Sequence, residues 1–299
     1  MIDGAWLVLR AAGLVLTFQA SGAGLFAVAF AARLGHARRA IQRVGLRAAW
    51  LALLLGVVQG LFEPVHLAGT AVGATDVTLL RIFLHSSIAA ALVMRLTGLA
   101  LVVLGLERAA AEWRARALTL AGALATVGSF VLTGHTSVDP HRPWLALLLL
   151  THLAIVAFWF GSLWPLRQLT RLEAPAVAAR ALAAFSAVAI WLVPVIALAG
   201  AGLAVLLLPD VAALGQPYGR LLLSKIALFA LLMAVAALNR LRLAPALARE
   251  EAGAPRALRR SLALEYGLIC IVLVVTAVMT GSFSPSDTAQ TGDGAAAAP

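Results

Sequence analysis

The sequence predicts an all-α membrane bundle of about eight transmembrane helices, and two observations predict it. Of the 299 residues, 62% are hydrophobic and 12% are charged, more apolar surface than a water-soluble chain of this size hides. Several stretches also run past 18 predominantly apolar residues, the length that crosses a hydrocarbon core. These stretches are long Leu/Ala/Val blocks rather than alternating ten-residue segments. Backbone groups in lipid must be satisfied internally, so the blocks suit helices and not a barrel.

The apolar pattern places the helices at 4–32, 47–68, 80–106, 116–134, 144–166, 183–208, 217–240 and 259–282. No basic segment precedes the first run, which is too long for a signal peptide, so a retained helix is expected. "GAG" at 22–24 and the Gly200/Gly202 pair permit close helix contact. The tail from Ser284, rich in Ala, Gly, Ser and Thr, reads as disordered and periplasmic. Helix four ends "FVLTGH" and helix eight ends "AVMTGS". With four helices each, halves 1–134 and 135–283 would share one orientation, as a parallel repeat.

A net charge of +10 invites a nucleic-acid reading, which the position of the charges excludes. The linkers after helices one, three, five and seven carry 17 of the 23 basic residues. They are Arg33, Arg38, Arg39, Arg43 and Arg47; Arg108, Arg114 and Arg116; Arg167, Arg171 and Arg180; and Arg240, Arg242, Arg249, Arg256, Arg259 and Arg260. The other linkers are poor in Arg. Basic loops stay cytoplasmic, so both termini are expected in the periplasm.

That orientation sets five of six histidines in the outer half. His66 ends helix two, His85 lies near the start of helix three, and His135 ends helix four. His141 follows in the short loop, and only His36 is cytoplasmic. His152 sits about eight residues into helix five, roughly 12 Å deep at the helical rise. Ionisable groups inside a span face a cavity or a partner. Imidazole suits copper, zinc, iron or nickel, so His152, His135, His66 and His85 form the candidate metal set. Two imidazoles from facing helices could instead hold a haem b iron. The intramembrane charges Arg95, Lys225 and Glu265 are either transport-path or structural groups, and a Lys225–Glu265 pair is open to them. Snorkelling accounts for Arg10. Met94 and Met279 are core fillers or soft ligands. The lone Cys270 forms no disulfide framework. No CxxC, HExxH, nucleophile elbow or P-loop occurs, so a non-enzymatic protein is expected.

The ordered motifs "THLAIVAFWFGSLWPL" (151–166), "AAFSAVA" (183–189), "YGRLLLSKIALFALLMAVAALNR" (218–240) and "SLALEYGLICIVLVVTAVMTG" (261–281) resemble the copper resistance protein D family. The matching residues are His152, Trp159 with Gly161, Phe185-Ser186, Tyr218-Gly219-Arg220, Lys225, Asn239-Arg240 and Glu265. The resemblance covers roughly 130–285; over 1–129 it is mainly one of hydropathy. It implies a bacterial inner-membrane protein that takes copper from the periplasm toward the cytoplasm. It also implies a separate CopC-type periplasmic copper-binding partner. Few methionines occur, unlike a conduit lined by thioethers.

Overall fold

The computed structural model describes residues 2–108, 112–133, 142–207 and 212–282. Among them there is no strand. The helices are α1 (Ile2–Ala29), α2 (Arg38–Ala68), α3 (Val77–Leu84), α4 (Ser87–Glu107), α5 (Trp113–Gly128), α6 (Arg142–Leu172), α7 (Pro175–Leu207), α8 (Pro217–Leu238), α9 (Ala244–Ala248) and α10 (Ala254–Ser282). A π-helical turn, Asn239–Leu243, joins α8 to α9. Among the described residues, eight helical segments are long and apolar enough to cross a membrane. The chain is a multi-pass membrane protein.

The segments match the eight apolar runs, but several ends differ. α2 begins at Arg38, so Arg38, Arg39, Arg43 and Arg47 are helical and not linker. Arg and Gln are good helix formers, and the helix continues past the apolar stretch into polar surroundings. α6 likewise runs to Leu172 and α10 starts at Ala254. The third run is broken where a continuous helix from 80 was expected. Asp76 caps α3 by accepting from the Thr78 and Leu79 N–H groups, and Ser86 caps α4 by accepting from Ala89. Short polar side chains at such positions satisfy the first free amides of a helix.

α1 is the central helix. It packs on α2, α4, α5, α6 and α10, which places it against helices of both sequence halves. Small residues allow this. A Cβ on Gly161 would lie 2.5 Å from the Ala23 nitrogen, so α1 and α6 touch backbone to backbone at Gly22 and Gly161. α4 and α5 cross the same way: a Cβ on Gly98 would sit 2.7 Å from the Gly122 carbonyl oxygen. Small residues at a crossing gain van der Waals contact where lipid removes the hydrophobic drive.

Proline organises the α1–α6 seam as well. Pro165 lies inside α6 and has no N–H, so the Gly161 carbonyl four residues earlier loses its helical donor. The Gln19 amide of α1 donates to that carbonyl at 3.3 Å, in a buried setting.

Two ends of the bundle are distinct. At one end the Arg-bearing turns gather: Glu173 accepts from the Ala37 N–H at 2.7 Å, and Arg259 donates to the Thr170 carbonyl at 3.1 Å. At the opposite, Arg-poor end, α1, α2 and α10 are tied. Trp6 donates to Glu63 at 3.1 Å, and Arg10 donates to Thr280 at 2.9 Å. Arg10 is therefore held between helices rather than simply snorkelling.

Candidate functional site

The C-terminal helices are assembled differently. α7 packs on α6 and α9, α8 packs on α10, and the consecutive α7 and α8 scarcely touch. Polar groups on α6, α7, α8 and α10 face the space between them at two levels.

The first level is nearer the Arg-poor end. His152 is eleventh in α6, about 15 Å from the helix start at the helical rise. Its Nδ1 is 3.3 Å from the Ile196 carbonyl oxygen of α7. A carbonyl can only accept, so Nδ1 carries the proton and Nε2 of the neutral ring keeps a free lone pair. Metal-binding histidines are prepared in this way. Gly200, one turn beyond Ile196, makes room for the ring: a Cβ there would lie 3.3 Å from His152 Cε1. Lys225 of α8 is a charged neighbour of the imidazole. It makes no ion pair or hydrogen bond among the described residues. The open Lys225–Glu265 pairing is not formed, because Glu265 belongs to the second level.

That level lies about 10 Å further along α6, two turns on, at Trp159. A cavity of about 360 Å³ opens there, lined by α6, α7, the end of α8, the π turn and α10. Glu265 is 3% exposed and lies on its wall. One carboxyl oxygen accepts from Asn239 Nδ2, the first residue of the π turn. The Trp159 indole N–H is beside the carboxyl but makes no hydrogen bond, and the Asn239 Oδ1 has no partner either. Arg240 also lines the cavity, yet its guanidinium donates to the Ser186 carbonyl at 2.9 Å. Pro194 of α7 deprives the Ile190 carbonyl of its helical donor, and both residues line the cavity. π turns often occur at functional sites.

The other described histidines, His36, His66 and His85, do not join His152. His66 is at the end of α2, 3.5 Å from Asp3 and stacked on Trp6 at 4.6 Å. His85 follows α3, is exposed, and its Nδ1 pairs with its own Arg81 carbonyl at 2.8 Å. His36 is exposed at the Arg-rich end. His135, His141 and Asp139 lie outside the described residues. Among the described residues no three His, Cys, Asp or Glu side chains come together as a metal site. Nor does any described histidine oppose His152, so a haem with two axial imidazoles is not supported. Arg95 donates from Nε to Ser129 at 3.1 Å and covers the Phe130 ring at 4.0 Å, both just after α5.

In the sequence Trp159 and Asn239 stand out only through the family resemblance, and Met233 does not stand out at all. Met233 lines the cavity and supplies a soft thioether. Pro165 and Pro194, inside apolar runs, were the legible signals: each marks an orphan carbonyl one turn earlier.

A family model described as Copper resistance protein D matches residues 179–279. A relative named "Copper resistance protein D", from Pseudomonas syringae pv. tomato, is 32% identical over 183 residues. By sequence, this chain resembles copper resistance protein D. The alignment covers 56% of the chain, and the chain spans 58% of that relative's length. No solved structure matches. The copper resistance protein D model takes in Ser186, Pro194, Lys225, Met233, Asn239, Arg240 and Glu265. It stops short of α6, so His152 and Trp159 rest on geometry.

Proposed function

We propose that this chain is a non-enzymatic copper carrier of the bacterial inner membrane that moves copper from the periplasm toward the cytoplasm between α6, α7 and α8. The single observation that carries the reading is the His152 ring. Its Nδ1–H is fixed on the Ile196 carbonyl, and its Nε2 lone pair is free inside a span. Neutral imidazole offers a ligand without burying a charge before the metal arrives. Copper suits both imidazole and thioether, so His152 and then Met233 give it successive ligands. Lys225 beside His152 weakens retention of a cation, which favours onward transfer over storage. The relative's name supports copper as cargo.

His66 and His85 are assigned to capture at the Arg-poor mouth, with His135, 17 residues before His152 in sequence, as a further imidazole. A separate periplasmic copper-binding protein would deliver the ion. The Arg asymmetry supports a cytoplasmic Arg-rich end and periplasmic termini.

His152→Ala is expected to abolish copper-dependent accumulation in cells at unchanged protein level. Accumulation equal to the parent's would overturn the assignment. For orientation, His36→Cys and Val72→Cys, both exposed positions, are introduced in a Cys270→Ser background. An impermeant thiol reagent should label Val72→Cys from the periplasm and spare His36→Cys. Labelling of both reverses or cancels the topology.

A further inference from the structure

We propose that Glu265 is a proton-binding site of the inner cavity, protonated when the cavity is empty and deprotonated when copper enters it. The inference rests on the copper reading above and adds the ion that compensates the metal's charge.

Glu265 is a carboxyl inside a span that makes no ion pair among the described residues. The groups facing it are Asn239 and Arg240 from the π turn, Trp159 from α6 and Ser186 from α7. Arg240 is the cation among them, and it is engaged with the Ser186 carbonyl. His152 lies two turns away on α6, and Lys225 is fourteen residues from Asn239 along the α8 segment. An isolated buried carboxylate neutralises rather than stay charged, so the empty cavity favours the acid.

The surroundings are also too open for a merely structural acid. Trp159 and Asn239 are 6% and 8% exposed, and each keeps an unpartnered polar atom, the indole N–H and the amide oxygen. Buried polar atoms seldom go unpaired. A cavity of about 360 Å³ beside them has space for water that would pair both and carry a proton to or from the carboxyl.

The donor chemistry separates proton from metal. Carboxylate and amide oxygens suit hard cations, whereas Met233 across the cavity is the soft donor. Copper therefore takes Met233 and the proton takes Glu265. The exchange balances. The O–H bond of Glu265 breaks, the proton passes through cavity water and leaves to bulk solvent, and one Cu⁺ enters. Net buried charge is unchanged, and no electron is transferred.

Infrared difference spectroscopy of the purified protein in lipid nanodiscs at neutral pH tests this. Parent protein should show a protonated-carboxyl band that Glu265→Gln removes and Asn239→Leu shifts, because the amide donor is lost. Adding Cu⁺ should diminish the band in parent and leave it in His152→Ala. The proposal is overturned if no Glu265-dependent band exists at neutral pH. It is equally overturned if the band is unchanged while metal analysis shows copper bound to the parent. If metal analysis finds no copper on the parent, the copper reading fails and the exchange falls with it. A Glu265-dependent band would still place a proton on that residue.

Discussion

The α1–α2–α4–α5 side of the bundle and the α7–α8 side use polar residues in opposite ways. On the first side, backbones meet at glycines, and Arg95 is held by Ser129 and Phe130. Thr119 and Thr126 return their hydroxyls to their own helix at Ala115 and Gly122, and Gln59 donates to the Leu9 carbonyl. On the second side, α7 and α8 stand apart over a cavity, Trp159 and Asn239 keep unused polar atoms beside it, and Lys225 stands unpaired among the described residues near His152. Polarity that is consumed locally builds the scaffold. Polarity left unspent at a cavity is available to a passing ion.

The largest effect that would break this contrast is at the α1–α6 crossing. Gly161→Leu puts a side chain into the backbone of Gly22 and Ala23. No flexible atom is there to yield, so loss of monodisperse folded protein is expected in detergent chromatography. A well-behaved Gly161→Leu protein would refute the packing described.

Gly200→Ala sharpens the contrast on the other side. The added methyl meets only the His152 ring, at 3.3 Å. Folding should survive, while copper affinity falls at least tenfold because the ring must shift from the Ile196 carbonyl. Unchanged affinity would detach Gly200 from the site.

Lys225→Met should act in the opposite sense. Removing the positive charge beside His152 should tighten copper binding several-fold and slow its release, read by competition with a chelator. Weaker binding would mean that Lys225 orders the site instead of repelling the ion.

Arg95→Met belongs to the scaffold side. It should cost on the order of 1–3 kcal/mol, the usual loss for a charged hydrogen bond, seen as a lower melting temperature with copper binding intact. The smallest effect is expected at Trp6→Phe. That change removes one partly buried hydrogen bond to Glu63 and should cost about 1 kcal/mol, without altering copper uptake.

What the sequence made legible follows the same division. Apolar run length gave all eight spans, because lipid forces that length. The ends were less legible where Arg-bearing turns continue a helix, as at Arg38–Arg47, and where Asp76 and Ser86 caps split an apolar run. His152 stood out by its depth. Its Ile196 partner did not, since a backbone carbonyl leaves no mark on residue type. Glu265 was visible as a buried charge. Its Asn239 partner was hidden because 26 residues separate them, and Lys225 was the more obvious opposite charge.

The central claim is that His152 offers Nε2 to copper within the α6–α7–α8 group. Copper K-edge absorption on purified, copper-loaded protein tests it most directly. The account predicts imidazole scattering from bound copper in the parent, and its loss or marked reduction in His152→Ala at equal protein folding. Copper bound in both proteins with the same imidazole signal would contradict it.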